Sequence, residues 1–183
     1  MIVVISGLPG SGTTTTAQKV AQLMGLQLIT VGDMFRRMAK QHGMSLLEFS
    51  RYAEKHWEID RKIDEEQRRM VREAEKGCVV DSRLGPWLLP EADLKVLLFA
   101  PLEERARRVS QRDQEEVSPE MTLEREKSER KRYMEIYGFD LANTEIFDIA
   151  INTCTWSADQ VAKLIVYTAN LRKAVGGDTN TSH

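Results

Sequence analysis

The sequence predicts an α/β fold in which helices cover both faces of a five-stranded parallel sheet, giving three layers. Short continuous apolar runs, such as residues 2–5, are typical of strands that are buried on both faces. Helical patterns separate these runs along the chain, and glycine or proline marks most of the boundaries. Strands that alternate with helices in this way form parallel sheets, because each crossover returns the chain to the same edge.

The individual elements follow from local patterns. Strands are expected at residues 2–5, 26–31, 78–80, 94–99 and 149–151. Helices are expected at residues 13–24, 33–42, 59–76, 101–113 and 118–137, with two more beginning near Ser45 and Ser157. Ser45 and Glu48 form a capping box, whereas Ser118 followed by Pro119 is typical of an N-cap and the first helical residue. Ligands of such sheets bind beyond the carboxyl ends of the strands.

The composition favours one cytoplasmic domain. The 183 residues carry 26 Lys and Arg against 28 Asp and Glu, whereas proteins that bind nucleic-acid polymers or membrane surfaces are usually basic. No apolar run approaches the ~20 residues that span a bilayer, and the N-terminus lacks the features of a signal peptide. Helix surfaces rich in both charges favour a monomer over a homodimer. The domain is expected at 1–172, followed by a disordered polar tail at 173–183.

The two cysteines, Cys78 and Cys154, lie far apart and have no metal-binding spacing. A zinc site and a disulfide framework are therefore not expected. Both side chains are expected to fill apolar space as small hydrophobic groups.

A glycine-rich turn follows the first strand and opens the first helix. Its sequence is Gly7-Leu8-Pro9-Gly10-Ser11-Gly12-Thr13-Thr14-Thr15, in the context that a phosphate-binding loop, or P-loop, requires. Backbone N–H groups of such a loop point at phosphate oxygens, and the helix N-terminus adds partial positive charge. Thr14 occupies the position whose hydroxyl binds Mg²⁺, but Thr13 replaces the usual lysine. Either arginines elsewhere supply the missing charge, or the protein binds nucleotide without catalysis; a turn without a ligand is the remaining alternative.

Two arginines follow the second and third strands. Arg36 ends the segment Val31-Gly32-Asp33-Met34-Phe35-Arg36, and Arg83 ends Asp81-Ser82-Arg83. Guanidinium groups bind a monophosphate bidentately, so both arginines are predicted to hold an acceptor phosphate. Asp33 is predicted as a further substrate-binding residue. Asp81 is predicted to hold Mg²⁺ through water, together with Thr14. For either arginine alone, a surface charge is the alternative.

Seven arginines lie between residues 103 and 132, where a lid is expected at about 112–126. Arg112, Arg125 and Arg132 are predicted catalytic residues that close over the transferring phosphoryl group. Arg108 shares a helix face with Arg112 and is predicted to stack on the base of ATP. Replacing Arg132 by alanine is expected to lower turnover without affecting folding.

The same segment is rich in acidic residues, so a solvated helix with surface ion pairs is the competing interpretation of its arginines. We favour that interpretation for Arg105, Arg107 and Arg130.

Together these segments resemble the adenylate kinase-like nucleoside monophosphate kinases, and among them the archaeal type of cytidylate kinase. The similar segments are residues 7–15, 31–36, 52–55, 58–60, 92–95, 100–103, 128–133 and 151–153. The resemblance covers residues 1–172 and implies a P-loop NTPase-type fold with a small acceptor-binding helical subdomain at about 32–76. It also implies transfer of the γ-phosphoryl group of ATP to CMP or dCMP, with Mg²⁺. Asp81-Ser82-Arg83 departs from the Glu-Gly-Arg that is more frequent in the archaeal type.

Several alternatives remain at this level. Another kinase of this fold, acting on AMP, UMP or shikimate, shares the P-loop. A non-catalytic nucleotide-binding module fits the replacement of lysine by Thr13. Exposed loops that contain Trp57 and Trp87 would fit a nucleotide-gated interaction protein, although packing is the simpler role for both tryptophans. Asp60, Arg61 and Asp64 are candidates for reading the cytosine base, with surface charge as the favoured alternative.

Overall fold

The computed structural model describes residues 1–114 and 116–177, and it confirms the three-layer α/β/α architecture. The five strands are β1 (Ile2–Gly7), β2 (Gln27–Thr30), β3 (Cys78–Asp81), β4 (Leu94–Phe99) and β5 (Ile149–Asn152). They pair in parallel in the order β2-β3-β1-β4-β5. The helices of the described residues are α1 (Thr13–Met24), α2 (Val31–Gln41), α3 (Leu46–Ala53), α4 (Trp57–Glu73), α5 (Gly85–Leu88), α6 (Leu102–Asp113), α7 (Pro119–Tyr137) and α8 (Ala158–Gly177).

Different helices cover the two faces of the sheet. Val3 and Ile5 of β1 pack with α1 and α8 on one face, where Ile165 is fully buried. Val4, between them, points to the other face and packs near Val71 of α4. Both faces of β1 are therefore dry, which explains why its sequence is a continuous apolar run without polar alternation.

A separate apolar cluster lies in the helical insertion between β2 and β3. The rings of Phe35 in α2 and Phe49 in α3 meet edge to face, with centroids 4.8 Å apart, and Ile59 and Ile63 of α4 complete the cluster. The Ser45 capping box that opens α3 is present in both directions. The insertion thus has its own small core, held apart from the sheet core.

The helix α7 packs against this insertion. The Ser128 hydroxyl donates to Glu54 at 2.6 Å, and the Lys131 ammonium lies 3.3 Å from the other oxygen of the same carboxylate. These contacts join the C-terminal half of α7 to the insertion.

Most boundaries lie within two or three residues of the prediction, but four features differ. Pro101 is extended and precedes α6 as its N-cap instead of forming its first turn. The one-turn helix α5 was not predicted. The helix α8 includes residues 173–177, which the sequence analysis assigned to the tail, while residues 178–183 lie outside the described residues. Cys78 is buried as expected, but Cys154 is exposed. Among the described residues, no helix combines the length and the apolar composition needed to cross a bilayer.

Candidate active site

The P-loop is shaped by close packing and by two left-handed glycines. Gly10 has φ 83° and Gly12 has φ 87°, a region that disfavours side chains. A Cβ at Gly10 would lie 2.3 Å from the carbonyl oxygen of Arg105, so α6 packs directly on the loop. Because Gly12 is the N-cap and has no side chain, the first-turn N–H groups of α1 remain accessible to a ligand. The loop therefore has the form of an anion cradle.

The Thr14 hydroxyl donates to Asp81 Oδ2 at 2.6 Å. Asp81 is the last residue of β3, in register with Ile5 of β1, so the sheet itself places the carboxylate beside the loop. Burial raises the pKa of Asp81, while the hydroxyls of Thr14 and Thr13 and the Arg36 guanidinium act in the opposite direction. A bound cation would stabilise the ionised form of this carboxylate.

The chemistry of this pair fits Mg²⁺. Among the described residues, no three His, Cys, Asp or Glu side chains are arranged to hold a metal ion. Mg²⁺ does not require such a cage, because it keeps several waters and uses one or two protein oxygens together with substrate phosphates. A hydroxyl and a carboxylate already in contact at the end of β3 supply that minimal set.

An open cleft extends from the P-loop towards the helical insertion. Twelve predicted site residues line it: Gly7, Leu8, Pro9, Gly10, Thr13, Thr14, Arg36, Asp81, Arg83, Arg112, Arg125 and Arg132. The predicted residues outside the lining are Ser11, Gly12, Thr15, Asp33 and Arg108. The Ser11 side chain is buried and its hydroxyl donates to the Leu8 carbonyl at 2.7 Å, so Ser11 stabilises the conformation of the loop.

Arg36 folds back over the start of its own helix. Its guanidinium pairs with Asp33 and lies against Gly32, where a Cβ would be 3.4 Å from Nη1. Asp33 itself is exposed, so it orients Arg36 without lining the cleft. The Arg36–Asp33 pair is partly exposed to solvent. The guanidinium has five donors, so it keeps donors that Asp33 does not engage.

Glu129 of α7 holds two of the cleft arginines. Arg83 Nη2 lies 3.3 Å from one carboxylate oxygen, and Arg125 Nε lies 3.1 Å from the other. Burial acts to raise the pKa of Glu129, but Arg125, Arg83 and Arg132 together hold that pKa below its usual value. Glu129 therefore stays ionised and fixes both guanidinium groups. Glu129 is four residues from Arg125 and three from Arg132, so the helical spacing in the sequence is the signal that could have placed it beside both.

Arg112 and Arg108 lie on the α6 side of the cleft. Arg112 forms a bidentate pair with Asp113, with both N–O distances 2.7 Å. Arg108 donates to the Thr153 hydroxyl at 2.8 Å and to the Thr153 carbonyl at 3.2 Å, beside Cys154 in the loop after β5. Arg108 thus sits at the mouth of the P-loop, next to the cleft lining rather than within it.

The predicted lid begins at the end of α6 and continues into the start of α7. Ser110 joins the two ends of the connection, because its hydroxyl donates to the Val117 carbonyl at 3.0 Å and accepts from the Val117 N–H at 2.9 Å. Gln114 ends α6 in the left-handed conformation, with φ 54°. The Ser118 hydroxyl accepts from the N–H of Met121, which confirms Ser118 as the N-cap of α7.

Arg132 differs from the prediction of a guanidinium that closes over the transferring group. It is fully buried, with Nε 2.6 Å from Asp60 Oδ2 and Nη1 donating to the Ser50 carbonyl at 3.1 Å. Its charge also lies 4.9 Å from the centroid of the Tyr133 ring. These partners hold the guanidinium in the wall of the cleft, so Arg132 connects α7 to the insertion instead of moving as part of a lid.

Arg105 was expected to be a surface charge, and it is buried. Its guanidinium donates to the Pro9 carbonyl at 3.3 Å and to the Ala100 carbonyl at 3.0 Å, and it pairs with Glu126 of α7. Arg105 therefore fixes the backbone of the P-loop and connects it to α7. Arg107 and Arg130 make exposed ion pairs, as expected.

Asp60 and Asp64 also differ from the surface charges that the sequence favoured, whereas Arg61 is exposed. Both aspartates line the far end of the cleft. Burial raises the pKa of Asp60 to about 6, although Arg132 acts in the opposite direction. Burial also raises the pKa of Asp64 to about 6, against the effect of the hydrogen bond that it accepts from Tyr137.

Comparison with known proteins agrees with this geometry. By structure, a shikimate kinase from Acinetobacter baumannii matches with a TM-score of 0.59 and 16% identity over 93% of each chain. A gluconokinase from Sinorhizobium meliloti matches with a TM-score of 0.61 and 14% identity, covering 98% of this chain and 97% of the other. These likenesses establish the fold.

The sequence relatives are more specific. The cytidylate kinase of Pyrococcus horikoshii is 44% identical over 90% of this chain and 86% of its own length. That of Methanocaldococcus jannaschii is 45% identical over 90% of this chain and 95% of its own length. Residues 2–155 match the cytidylate kinase-like family. The chain therefore belongs to the cytidylate kinase-like family.

Proposed function

We propose that the protein transfers the γ-phosphoryl group of ATP to CMP, with dCMP as a second acceptor. The observation that carries this proposal is the composition of one continuous cleft. Its lining combines a phosphate cradle with a Mg²⁺-binding pair, five arginines, and two buried aspartates of α4. Membership of the cytidylate kinase-like family supports the choice of acceptor.

ATP would bind with its phosphates in the loop formed by residues 7–14. Successive backbone N–H groups and the N-terminus of α1 attract the phosphate charge. Thr14 and Asp81 would hold Mg²⁺, which supplies neutralisation of the β- and γ-phosphate oxygens. Arg108, which Thr153 fixes beside the mouth of the loop, would stack on the adenine base.

The acceptor phosphate would lie between Arg36 and Arg83. Arg83 Nε is buried without a hydrogen-bond partner among the described residues, and it lines the cleft. A buried unpaired guanidinium N–H is costly, and a phosphate oxygen would satisfy it. This donor is the most specific indication that an anion belongs at the point where β3 ends.

The chemistry then requires positioning and charge, and no protein base. An acceptor phosphate oxygen attacks the γ-phosphorus as the bond from that phosphorus to the β,γ-bridging oxygen breaks, so CDP forms and ADP leaves. The second pKa of a phosphate monoester is about 6, so the nucleophile is already ionised at neutral pH. Arg112 and Arg125, which face the cleft from α6 and α7, would stabilise the negative charge of the transferring group.

Arg132 has a different part in this proposal. Because it is buried against Asp60 and Ser50, it positions the wall of the cleft and does not contact the transferring group. The charge that the P-loop lacks at Thr13 comes instead from Arg112 and Arg125, whose carboxylate partners fix their orientation.

An acceptor panel tests the proposal. ADP release is measured with the full chain, ATP and Mg²⁺, and with CMP, dCMP, UMP, AMP or shikimate as acceptor. We expect the largest kcat/KM with CMP, followed by dCMP. A larger value with AMP, UMP or shikimate would replace CMP as the acceptor, and ATP binding without transfer to any acceptor would favour the non-catalytic alternative.

We also propose that the enzyme acts in the cytoplasm as a monomer, because its helix surfaces are rich in both charges. Light scattering at assay concentration tests the oligomeric state, and a mass twice that of the chain would contradict it.

A further inference from the structure

Two buried carboxylates at the far end of the cleft have no use in the phosphate chemistry. Asp60 and Asp64 are one helical turn apart on α4 and are 3% and 8% exposed. Ile63, Phe35 and Tyr133 line the same end of the cleft, so the carboxylates lie among apolar and aromatic surfaces. Buried aspartates are rare unless they are paired, and a pair of them in a ligand cleft calls for a polar partner.

The two carboxylates differ in what they already bind. Asp60 Oδ2 and Arg132 Nε lie 2.6 Å apart, so the charge of Asp60 is compensated directly. Asp64 has no ion pair among the described contacts; one oxygen accepts from the Tyr137 hydroxyl. Its second oxygen accepts no hydrogen bond among the described contacts, so it retains acceptor capacity. Asp60 Oδ2 also has no hydrogen-bond partner, but it lies in an ion pair, so Asp64 is the one of the two carboxylates that has no counter-charge among the described contacts.

The bases of possible acceptors differ in the groups they would present to such a carboxylate. Cytosine carries an exocyclic amino group, which donates hydrogen bonds. Uracil carries a carbonyl oxygen at the same position, which can only accept and would be repelled by a carboxylate. Asp64 can only accept when it is ionised. A site of this kind favours cytosine by attraction and disfavours uracil by leaving two acceptors opposed.

We propose that Asp64 accepts a hydrogen bond from the exocyclic amino group of the acceptor base and so selects cytosine over uracil. The proposal rests on the proposed function, since it concerns the acceptor subsite of the same cleft. Asp60 and Arg132 are positioning residues in this account. Their ion pair connects α4 to α7 beside Asp64. Phe35 and Tyr133 supply the aromatic surfaces that flank the base.

Asp64→Asn is the decisive variant, because it retains an oxygen for the Tyr137 hydroxyl and adds an amide donor that uracil can meet. We expect the ratio of kcat/KM for CMP to that for UMP to fall by about tenfold or more, which is the effect of losing one charge-assisted hydrogen bond. The KM for ATP should change less than about twofold, since none of the described hydrogen bonds or ion pairs joins Asp64 to the P-loop. Glu65→Gln, an exposed carboxylate on the same helix, is the matched control and should leave the ratio unchanged.

A second measurement uses the wild-type chain and does not depend on the folding of a variant. The ribonucleoside monophosphate of pyrimidin-2-one lacks only the exocyclic amino group of CMP. We expect wild type to use it with a kcat/KM about tenfold or more below that of CMP, and Asp64→Asn to show a smaller difference. Equal use of the two nucleotides by wild type, or an unchanged CMP-to-UMP ratio in folded Asp64→Asn, would overturn this inference while leaving the kinase proposal intact. Failure of wild type to phosphorylate any nucleoside monophosphate would refute the proposed function, and this inference with it.

Discussion

Replacing Arg132 should destabilise the fold, and this expectation differs from the one that the sequence alone supported. The guanidinium is fully buried and compensates Asp60, which is itself 3% exposed. Arg132→Met keeps a long unbranched side chain in the space but removes the charge. The Asp60 carboxylate is then left in an apolar environment without a counter-charge.

The size of the effect follows from the burial of both partners. Removing one partner of a buried pair typically costs about 3–5 kcal/mol, because the other charge remains desolvated and unpaired. In a domain of this length, each kcal/mol lowers Tm by roughly 2–4 °C. We therefore expect Tm to fall by roughly 6–20 °C. The lost hydrogen bond to the Ser50 carbonyl acts in the same direction.

Urea unfolding followed by circular dichroism measures the change, with two comparisons. Arg130→Met lies on the same helix, where Arg130 makes an exposed pair with Asp140 at 3.1 Å, and it should cost no more than about 1 kcal/mol. Adding Asp60→Asn to Arg132→Met should restore part of the loss, because the uncompensated charge is gone.

Two results would refute this reasoning. If Arg132→Met unfolds within about 1 kcal/mol of wild type, the buried pair does not contribute as its geometry implies. If the double variant is no more stable than Arg132→Met alone, the loss comes from packing and not from the unpaired carboxylate.

Three other expectations follow from the site. Arg36→Ala should raise the KM for CMP by about tenfold to a hundredfold, because one charge-assisted contact to the acceptor phosphate is lost, and should change the KM for ATP little. Steady-state kinetics tests this. Replacement of the exposed Arg37 by alanine is the control and should behave like wild type. Arg105→Ala should raise the KM for ATP, because the Pro9 carbonyl loses its buried donor. Arg107→Ala, which removes an exposed ion pair on the same helix, should leave the KM for ATP unchanged. Equal effects of the two substitutions would contradict the role of Arg105. Burial raises the pKa of Asp64 from 3.8 to about 6, so its ionisation destabilises the fold above pH 6 and this cost disappears as the pH falls towards 4. Asp64→Asn should therefore be more stable than wild type at pH 7.5, by at most on the order of 3 kcal/mol, and the gain should vanish near pH 4; a gain that does not depend on pH would exclude this cause.

The sheet and most helix ends were predictable because they depend on local signals. The apolar run of β1, the Ser45 capping box and the Ser118 N-cap each specify an element without knowledge of the rest of the chain. The Thr14–Asp81 contact was also predictable, since parallel strands place their carboxyl ends at one edge. Pro101 was misplaced by one residue, because proline is compatible both with an extended N-cap and with a first helical turn.

The buried charges of α4 were not predicted, because a charged side chain on a helix is normally solvated. Asp60 and Asp64 nevertheless continue a regular buried stripe that reaches Gln67 and Val71 with alternating steps of four and three residues. That spacing is the available signal: the stripe ends in an apolar residue, and Ile59 and Ile63 run beside it. A carboxylate inside an otherwise buried stripe indicates a ligand or an ion pair.

The buried face of α7 offers no such signal. It consists of Thr122, Ser128, Glu129, Arg132 and Tyr133, so hydrophobic periodicity cannot identify it. Its burial depends on partners distant in sequence, such as Asp60 for Arg132 and Arg83 for Glu129. The arginines of α7 were therefore predictable as site residues, but the sequence does not distinguish Arg125, which faces the cleft, from Arg132, which is buried in the cleft wall.

The replacement of the P-loop lysine by Thr13 can be understood from the carboxylates that accompany the cleft arginines. Arg36 is held by Asp33, Arg112 by Asp113, and Arg83 and Arg125 by Glu129. A guanidinium has five donors and a carboxylate engages at most two of them, so each held arginine still has donors for a phosphate. The acidic partners also offset the mutual repulsion of four nearby cations before nucleotides bind. A single lysine would place one charge at one phosphate, whereas in the proposed mechanism fixed guanidinium groups on α2, α6, α7 and the end of β3 surround the group as it moves from donor to acceptor. The chain thus presents guanidinium donors to the cleft while their carboxylate partners balance their charge, in keeping with a net charge of −2.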